Sequence, residues 1–196
     1  MSPAERIRAG LAALASTAAE TASEIPAVER LAARCAATLR GGGTIFFAGN
    51  GGSAADAQHI ATEYVVRLRA PRRAFRAVAL TTDTSLLTAV GNDLGFEQVF
   101  ARQVEALGRP GDLLVLHSTS GASPNLCAAA RAARSAGVTV AALLGGGGGA
   151  LRALADLAVV VPSDDSSRIQ EIHLVLEHLI VELVEDELAG EGGGER

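Results

Sequence analysis

The sequence predicts an α/β fold: a three-layer αβα sandwich on a doubly wound, five-stranded parallel sheet, preceded by N-terminal helices. Five short apolar runs alternate with segments of helical periodicity, which is the pattern of repeated βαβ units. The runs are apolar throughout rather than alternating, as in strands that helices cover on both faces. Right-handed crossovers between the strands place helices on both sides of the sheet.

The first two helices are predicted within residues 2–40, where apolar residues recur at helical spacing and Pro26 stands in the first turn of the second helix. Glycines 41–43 end that helix. Strands are then predicted at 44–48, 77–80, 112–118, 139–144 and 157–162, and helices at about 54–67, 85–107 with a break at "GNDLG", 124–136 and about 168–188. We divide the chain into N-terminal helices at 1–43, packed as part of the same domain and used in oligomer formation, an α/β domain at 44–189 and a flexible tail at 190–196.

Composition excludes several classes of function. The chain has 196 residues with a net charge of −5, and all 17 of its basic residues are arginine. An acidic chain without a basic stripe is not expected to bind nucleic acid non-specifically. The first twenty residues lack the apolar centre of a signal peptide, and no apolar run reaches the ~18 residues of a membrane span. We therefore expect a cytoplasmic protein, with Cys35 and Cys127 as buried free thiols.

Three polar loops follow predicted strands directly: "GNGGS", "TTDTS" and "STSGAS". Ligands of parallel α/β sheets bind at the carboxyl ends of the strands, so these loops should meet at one edge of the sheet.

The first loop matches a dinucleotide-binding pattern, since "GNGGSA" at residues 49–54 reads G-x-G-x-x-A. The acidic residue that contacts the ribose should then follow about 20 residues later. Asp83 follows the second strand, but it stands 34 residues after Gly49. We therefore expect no nucleotide cofactor.

The third loop carries four hydroxyl side chains, Ser118, Thr119, Ser120 and Ser123, before Pro124 opens a helix. Hydroxyls and free backbone N–H groups at the positive end of a helix form a phosphate cradle. No P-loop lysine accompanies them, so a sugar monophosphate fits better than a nucleoside triphosphate. The alternative interpretation is an ordinary serine-rich helix cap.

The helix after the first loop carries His59 and Glu63 one turn apart on the same face, with Asp56 on the same side. Such a pair can bind a metal or act as acid and base. A solvated surface pair is the alternative.

The last helix carries two histidines. Gln170, His173 and Glu177 share one face, whereas His178 lies on another side among apolar residues. Spacing alone does not decide which histidine belongs to a site and which is a satisfied core group.

Taken together, four motifs resemble one family. "GNGGSAADAQHIATE", "AVGNDLGF", "STSGAS" and "RIQEIHLVLEH" resemble the bacterial phosphoheptose isomerases of the sugar isomerase (SIS) domain superfamily, over residues 44–188. The resemblance implies the SIS fold and the conversion of sedoheptulose 7-phosphate to D-glycero-D-manno-heptose 7-phosphate. It implies Glu63 as the base that moves the proton between C1 and C2, and His178 as the partner acid and base.

The same resemblance implies ligands and an assembly. Zinc, one ion per site, would be held by His59, Glu63, Gln170 and His178. Family members form homotetramers. The implied substrate-binding residues are Asn50, Gly51, Gly52, Ser53, Arg67, Asp93, Ser118, Thr119, Ser120, Ser123 and Gln170.

One spacing limits a single-subunit site. Gln170 and His178 are eight residues apart, roughly 12 Å along a helix, so one helix cannot easily bring both to one metal ion. We therefore predict that sites are shared between subunits.

The sequence also departs from the family. Ala122 replaces a usual asparagine, "GGGGG" at 145–149 replaces a polar loop, and His117 replaces a commonly apolar residue. Two alternatives therefore stay open: a non-catalytic SIS protein of the replication initiator-associating type, and a SIS isomerase for another sugar phosphate. The presence of both Glu63 and His178 favours an enzyme.

Overall fold

A computed structural model describes residues 1–69 and 71–189 of the chain. Its centre is a five-stranded parallel sheet with the strand order β2-β1-β3-β4-β5. The strands are β1 (Ile45–Gly49), β2 (Ala77–Ala79), β3 (Leu113–Ser118), β4 (Thr139–Gly145) and β5 (Leu157–Val161). The helices are α1 (Pro3–Glu20), α2 (Ile25–Arg40), α3 (Gly52–Val65), α4 (Thr84–Asp93), α5 (Ala101–Leu107), α6 (Pro124–Ser135), α7 (Gly149–Leu154) and α8 (Ser166–Ala189).

Helices cover both faces of the sheet, which confirms the three-layer prediction. Successive strand residues point to opposite faces. Phe47 and Val115 pack with α2, α3 and α8, whereas Phe46 and Leu114 pack with α4, α5, α6 and α7. The strands are buried along almost their whole length, which is why their sequences show no polar alternation.

The N-terminal helices join the body of the molecule through α2 and α8. Ser2 and Glu5 form a capping box that starts α1. A short 3-10 turn at Thr21–Glu24 then leads into α2, whose apolar face, including Leu31 and Leu39, belongs to the same core as the sheet. Burial of that face stabilises α2 far more than helix propensity alone.

The structure confirms the break predicted at "GNDLG" and adds one helix. The segment 85–107 divides into α4, a 3-10 turn at Phe96–Gln98 and α5, because Gly95 adopts a positive φ of 92° after α4 ends. The short helix α7 was not predicted, since glycine-rich sequence precedes it. The other strand and helix boundaries agree within about three residues.

Three further expectations concern the cysteines, the C-terminal tail and membrane-spanning helices. Cys35 and Cys127 are buried and free, as predicted. The tail predicted at 190–196 lies outside the described residues. Within the described part of the chain, none of the helices combines the length and apolar character needed to cross a membrane.

The strand order locates the ligand-binding edge. The chain passes from β1 outward to β2 and then returns to the other side of β1 with β3. The crevice above the carboxyl ends of β1 and β3 is therefore the topological switch point, where doubly wound sheets bind ligands. The glycine turn follows β1 and the hydroxyl loop follows β3, so both predicted phosphate loops lie at this crevice.

Candidate active site

The glycine turn at 49–52 brings the start of α3 against its neighbours. Gly51, the residue before α3, has a φ of 57°, a conformation that favours glycine. A Cβ atom on Gly52 would lie 2.7 Å from the side-chain amide of Gln170 on α8. The absence of a side chain therefore lets the start of α3 touch α8 directly.

The hydroxyl loop is held in shape by its own serines. Ser118 Oγ accepts a hydrogen bond from the Gly121 N–H at 3.0 Å, and Ser120 Oγ accepts one from the Ala122 N–H at 3.3 Å. Ser123 precedes α6 without capping it through its side chain. Thr119 Oγ1 lies 3.5 Å from Ser166 Oγ at the start of α8. The loop is thus pre-shaped and presents hydroxyls at a helix N-terminus.

The glycine run at 145–149 supports this loop from behind. Gly121 has a φ of 63°, and a Cβ atom there would overlap the carbonyl of Gly148. The Leu151 N–H donates to the Gly121 carbonyl at 2.9 Å. The backbone of the glycine run therefore packs directly against the backbone of the hydroxyl loop.

Asn50 joins the two loops through a residue that sequence reasoning missed. Its side chain exchanges two hydrogen bonds with Asn125 in the first turn of α6, at 3.0 and 2.8 Å. The two residues are 75 positions apart, so only the fold reveals the pair.

Three candidate catalytic or metal-binding side chains meet across α3 and α8. His59 Nε2 lies 3.0 Å from His178 Nε2 and 3.7 Å from Glu63 Oε1. The two imidazole rings meet edge to face, with centroids 5.1 Å apart. The His59 side chain is 48% exposed and that of Glu63 is 19% exposed, so the cluster is reachable from solvent. Among the described residues, one ligand atom from each of the three lies within 4.8 Å of the others.

This cluster has the composition of a zinc site. Zinc binds imidazole nitrogens and carboxylate oxygens, and catalytic sites use three protein ligands with one open position. His59, Glu63 and His178 provide two nitrogens and one carboxylate from a single chain. The donor types and their mutual distances therefore fit the ion.

The fourth residue implied for zinc lies elsewhere in the chain. Gln170 is beside Gly52, at the first turn of α3, whereas His59 is seven residues later on that helix, roughly 10 Å further along it. Within one chain Gln170 therefore lies nearer to the glycine turn than to the imidazoles.

Two other predicted substrate contacts lie at the periphery of the chain. Arg67 is exposed in the segment after α3, and Asp93 is exposed at the last residue of α4. Asp93 accepts a hydrogen bond from the neighbouring Asn92 at 2.7 Å. Since α4 starts near the carboxyl end of β2, its far end is about 15 Å along the helix from that edge.

The cluster can perform acid–base chemistry. A carboxylate that is partly shielded from water stands beside two imidazoles, and hydroxyls with helix N-termini lie at the adjacent strand ends. Burial raises the pKa of Asp56, which lies on α3 beneath the cluster; Glu177 adds to this rise, while His117 and His59 oppose it.

Comparison with known proteins identifies the family. A family model described as the SIS domain matches residues 9–145. The phosphoheptose isomerase of Burkholderia pseudomallei (strain 1710b) is 52% identical over 163 residues, which are 83% of either chain. That of Akkermansia muciniphila is 50% identical over 186 residues, 95% of this chain and 98% of its own.

The chain belongs to the phosphoheptose isomerase family of SIS-domain proteins. A solved phosphoheptose isomerase from Francisella tularensis superposes with a TM-score of 0.92 at 35% identity, covering 95% of this chain and 100% of the other. Sequence and fold therefore agree on the family, and the non-catalytic alternative is not favoured.

In this member of the family, a buried ion pair that sequence reasoning did not identify joins β3 to the last helix, α8. His117 Nε2 on β3 lies 2.6 Å from Glu177 Oε1 on α8, and the two side chains are 0% and 2% exposed. Burial lowers the pKa of His117, but the Glu177 carboxylate, with smaller effects from Asp56 and the Ser53 carbonyl, raises it above its ordinary value overall. His117 appeared in the sequence only as a departure from the family.

The two histidines of α8 are also distinguished. His173 is fully buried, and one ring nitrogen lies 3.1 Å from the Leu144 carbonyl. Burial lowers the pKa of His173 to about 4, so its ring is neutral at pH 7. His173 is therefore a core residue bonded through one ring nitrogen, and His178 is the histidine that meets Glu63 and His59.

Proposed function

We propose that the protein isomerises sedoheptulose 7-phosphate to D-glycero-D-manno-heptose 7-phosphate through an enediol. The observation that carries this proposal is the meeting of Glu63 and His178, from two different helices, beside two loops suited to a phosphate. Glu63 and His178 would supply the base and the partner acid that the reaction needs.

The phosphate is proposed to bind where the glycine turn and the hydroxyl loop adjoin. Ser53, Ser118, Thr119, Ser120 and Ser123, with the backbone at Gly51 and Gly52, would surround it. The N-termini of α3 and α6 favour an anion there. Asn50, linked to Asn125, would keep the two loops at a fixed separation.

Proton transfer is assigned to Glu63. Its carboxylate would remove the proton from C1 of the ketose and return it to C2, which yields the aldose. His178 would donate a proton to the O2 carbonyl oxygen and accept the proton of the O1 hydroxyl, so no proton is gained or lost overall. A hydrogen-bond donor at the developing enediolate lowers the barrier that a weakly acidic C–H otherwise sets.

Zinc is the proposed cofactor. His59, Glu63 and His178 would hold it, and Gln170 is the further ligand that the family implies. A bound zinc ion would polarise the substrate carbonyl as a Lewis acid, the task that a proton from His178 performs when the ion is absent. His59, which is half exposed, has no other role in the proposed proton transfer.

The complete site is proposed to form between subunits of a homotetramer. Asp93 and Arg67 are exposed, and Gln170 lies apart from the three clustered ligands. Partner subunits could bring equivalent residues to the cluster. Exposed apolar side chains on α1 and α8, including Ile7, Leu11, Val175 and Leu179, offer surface for such contacts.

The test of this function is the Glu63→Gln variant, assayed for heptose 7-phosphate formation by NMR. Loss of the base should lower kcat about 10²–10⁴-fold while the thermal melting temperature stays unchanged. Glu105→Gln, at an exposed surface pair with Arg102, is the matched control and should keep full activity. Wild-type turnover by Glu63→Gln would refute the role of Glu63.

Substrate identity needs its own experiment, because "GGGGG" and Ala122 depart from the family at the hydroxyl loop. Incubation with ketose phosphates of five, six and seven carbons should give the highest kcat/KM for the seven-carbon sugar. A higher value for a pentose or hexose phosphate would assign the enzyme to another sugar.

A further inference from the structure

Arg72 lies between α3 and β2, and it bonds both helices of the site. Its side chain is 9% exposed. Nη2 donates to the carbonyl of Glu63 at 2.7 Å, and Nη1 donates to the carbonyls of Tyr64 at 2.9 Å and Arg73 at 3.0 Å. Nε donates to Glu185 Oε1 on α8 at 2.8 Å.

These bonds make Arg72 a cap for the end of α3. The last carbonyls of a helix have no partner within the helix, and a positive charge there interacts favourably with the helix dipole. Arg72 satisfies two of these carbonyls with one planar group, and its guanidinium lies 3.9 Å from the centroid of the Phe75 ring, which it stacks upon. The backbone of Glu63 is therefore held directly by a rigid, buried side chain.

The other end of this connection is Glu185 on α8. Glu185 is 3% exposed and also accepts hydrogen bonds from the N–H groups of Leu68 at 2.9 Å and Arg69 at 3.0 Å. Glu185 follows His178 by seven residues, which places both on the same face of α8, about 10 Å apart along the axis. One buried carboxylate thus fixes the chain after α3 to the helix that carries the second acid–base group.

We propose that Arg72 is a positioning residue for the isomerisation: by tying the backbone of Glu63 to Glu185 on α8, it sets the Glu63 carboxylate against His178 and His59. This proposal rests on the roles proposed above for Glu63 and His178. Displacing a reacting group by about 1 Å can cost roughly 10²-fold in rate, so a group that holds the base by its backbone has a direct kinetic consequence.

A neighbouring ion pair provides the matched control. Arg69 Nη2 lies 2.5 Å from Glu182 Oε1 and joins the same segment to the same helix, but the Arg69 side chain is 69% exposed. No hydrogen bond between its side chain and α3 is found among the described residues. An exposed pair of this kind contributes about 0–1 kcal/mol. The Arg69 variant therefore tests whether any ion pair between this segment and α8 is enough to position Glu63.

The experiment compares Arg72→Met, Arg72→Lys and Arg69→Met with the wild type. Turnover of sedoheptulose 7-phosphate gives kcat and KM, and zinc titrated onto metal-free protein without sugar gives a Kd. We expect Arg72→Met to lower kcat about 10–100-fold, to change KM less than kcat, and to weaken zinc binding about 10-fold. Arg72→Lys, which keeps the charge and can reach one acceptor, should recover part of the loss, and Arg69→Met should match the wild type.

Several outcomes would overturn the positioning role. Wild-type kcat and zinc affinity in Arg72→Met would do so, and so would an equal loss in Arg69→Met. If Arg72→Met does not fold, Arg72→Lys decides by the same criteria. If the wild type does not isomerise the sugar, the proposed function fails, and zinc affinity still reports on the position of Glu63. If the wild type binds no zinc, the separation of Glu63 and His178 in crystals of the variants decides.

Discussion

At the residue scale, the site combines side chains that water reaches with side chains that it does not. His59 is half exposed and Glu63 is mostly shielded, whereas the nearby His117 and Glu177 are buried completely. The buried pair follows different energetics, because two charges without water stabilise a fold only through each other.

A double-mutant cycle on His117 and Glu177 tests this dependence. His117→Leu should lower the free energy of unfolding by about 3–5 kcal/mol, because the buried Glu177 carboxylate is left without its partner. Glu177→Leu should cost less, because burial then favours the neutral His117 ring. The double variant should be more stable than either single variant, since a buried apolar pair replaces the ion pair at little cost. Urea denaturation measures all four proteins, and simple additivity of the two losses would contradict the prediction.

The contribution of the His117–Glu177 pair to the free energy of unfolding should change with pH in a defined direction. The pKa of His117 is raised in the folded protein above its ordinary value of 6.5. The stabilisation from protonated His117 is therefore fully present below pH 6.5 and is lost as the pH rises through the folded pKa. The wild type should lose its stability advantage over the single Glu177→Leu variant at high pH, not at low pH.

At the element scale, α3 and α8 lie side by side and run in the same direction. Contacts join Gly52 to Gln170 near one end and His59 to His178 in the middle. The Arg72–Glu185 link closes the other end. Three contacts in register keep the two helices from sliding, which the proposed acid–base pair, divided between them, would require.

The shape of the hydroxyl loop depends on its close contact with the glycine run at 145–149, and the Gly121→Ala variant tests this dependence. Gly121→Ala should raise KM for the sugar phosphate by at least about 10-fold, since the loop must move when a Cβ meets Gly148 at positive φ. Gly147→Ala is the matched control, because nothing lies within 4 Å of a Cβ there. An unchanged KM for Gly121→Ala would show that the loop does not bind the phosphate.

At the scale of the whole molecule, the single chain gathers the proposed acid–base pair but leaves Asp93 at the surface. The chain also exposes apolar side chains on α1 and α8. Both observations support an assembly in which subunits complete one another's sites.

Subunit complementation tests that assembly. Glu63→Gln and Asp93→Asn homo-oligomers should each be nearly inactive. Mixed oligomers, formed by unfolding and refolding the two variants together, should regain a measurable fraction of wild-type kcat because some sites then contain both native residues. Sedimentation analysis should give a tetramer. A mixture that stays inactive would place Glu63 and Asp93 in the same chain's site, and an active Asp93→Asn homo-oligomer would remove Asp93 from the site.

The sequence by itself determined the order of strands and helices along the chain, the positions of the glycine turn and the hydroxyl loop, and the pairing of His59 with Glu63. These features depend on local periodicity, on glycine and proline, and on the rule that parallel strands place their carboxyl ends together. Spacing also predicted that Gln170, His173 and Glu177 share one face of α8, and all three contact neighbouring elements of the same chain.

Only the tertiary structure decided which neighbour each face meets. His178 was distinguished from His173 by α3, which lies 119 residues away in sequence at His59. The fold pairs His117 with Glu177 and Asn125 with Asn50. It also brings Arg72 to the end of α3 and to Glu185. Helical and strand periodicity specify the direction in which a side chain points. The partner of that side chain depends on how elements that are distant in sequence pack together, and no local sequence pattern encodes this packing.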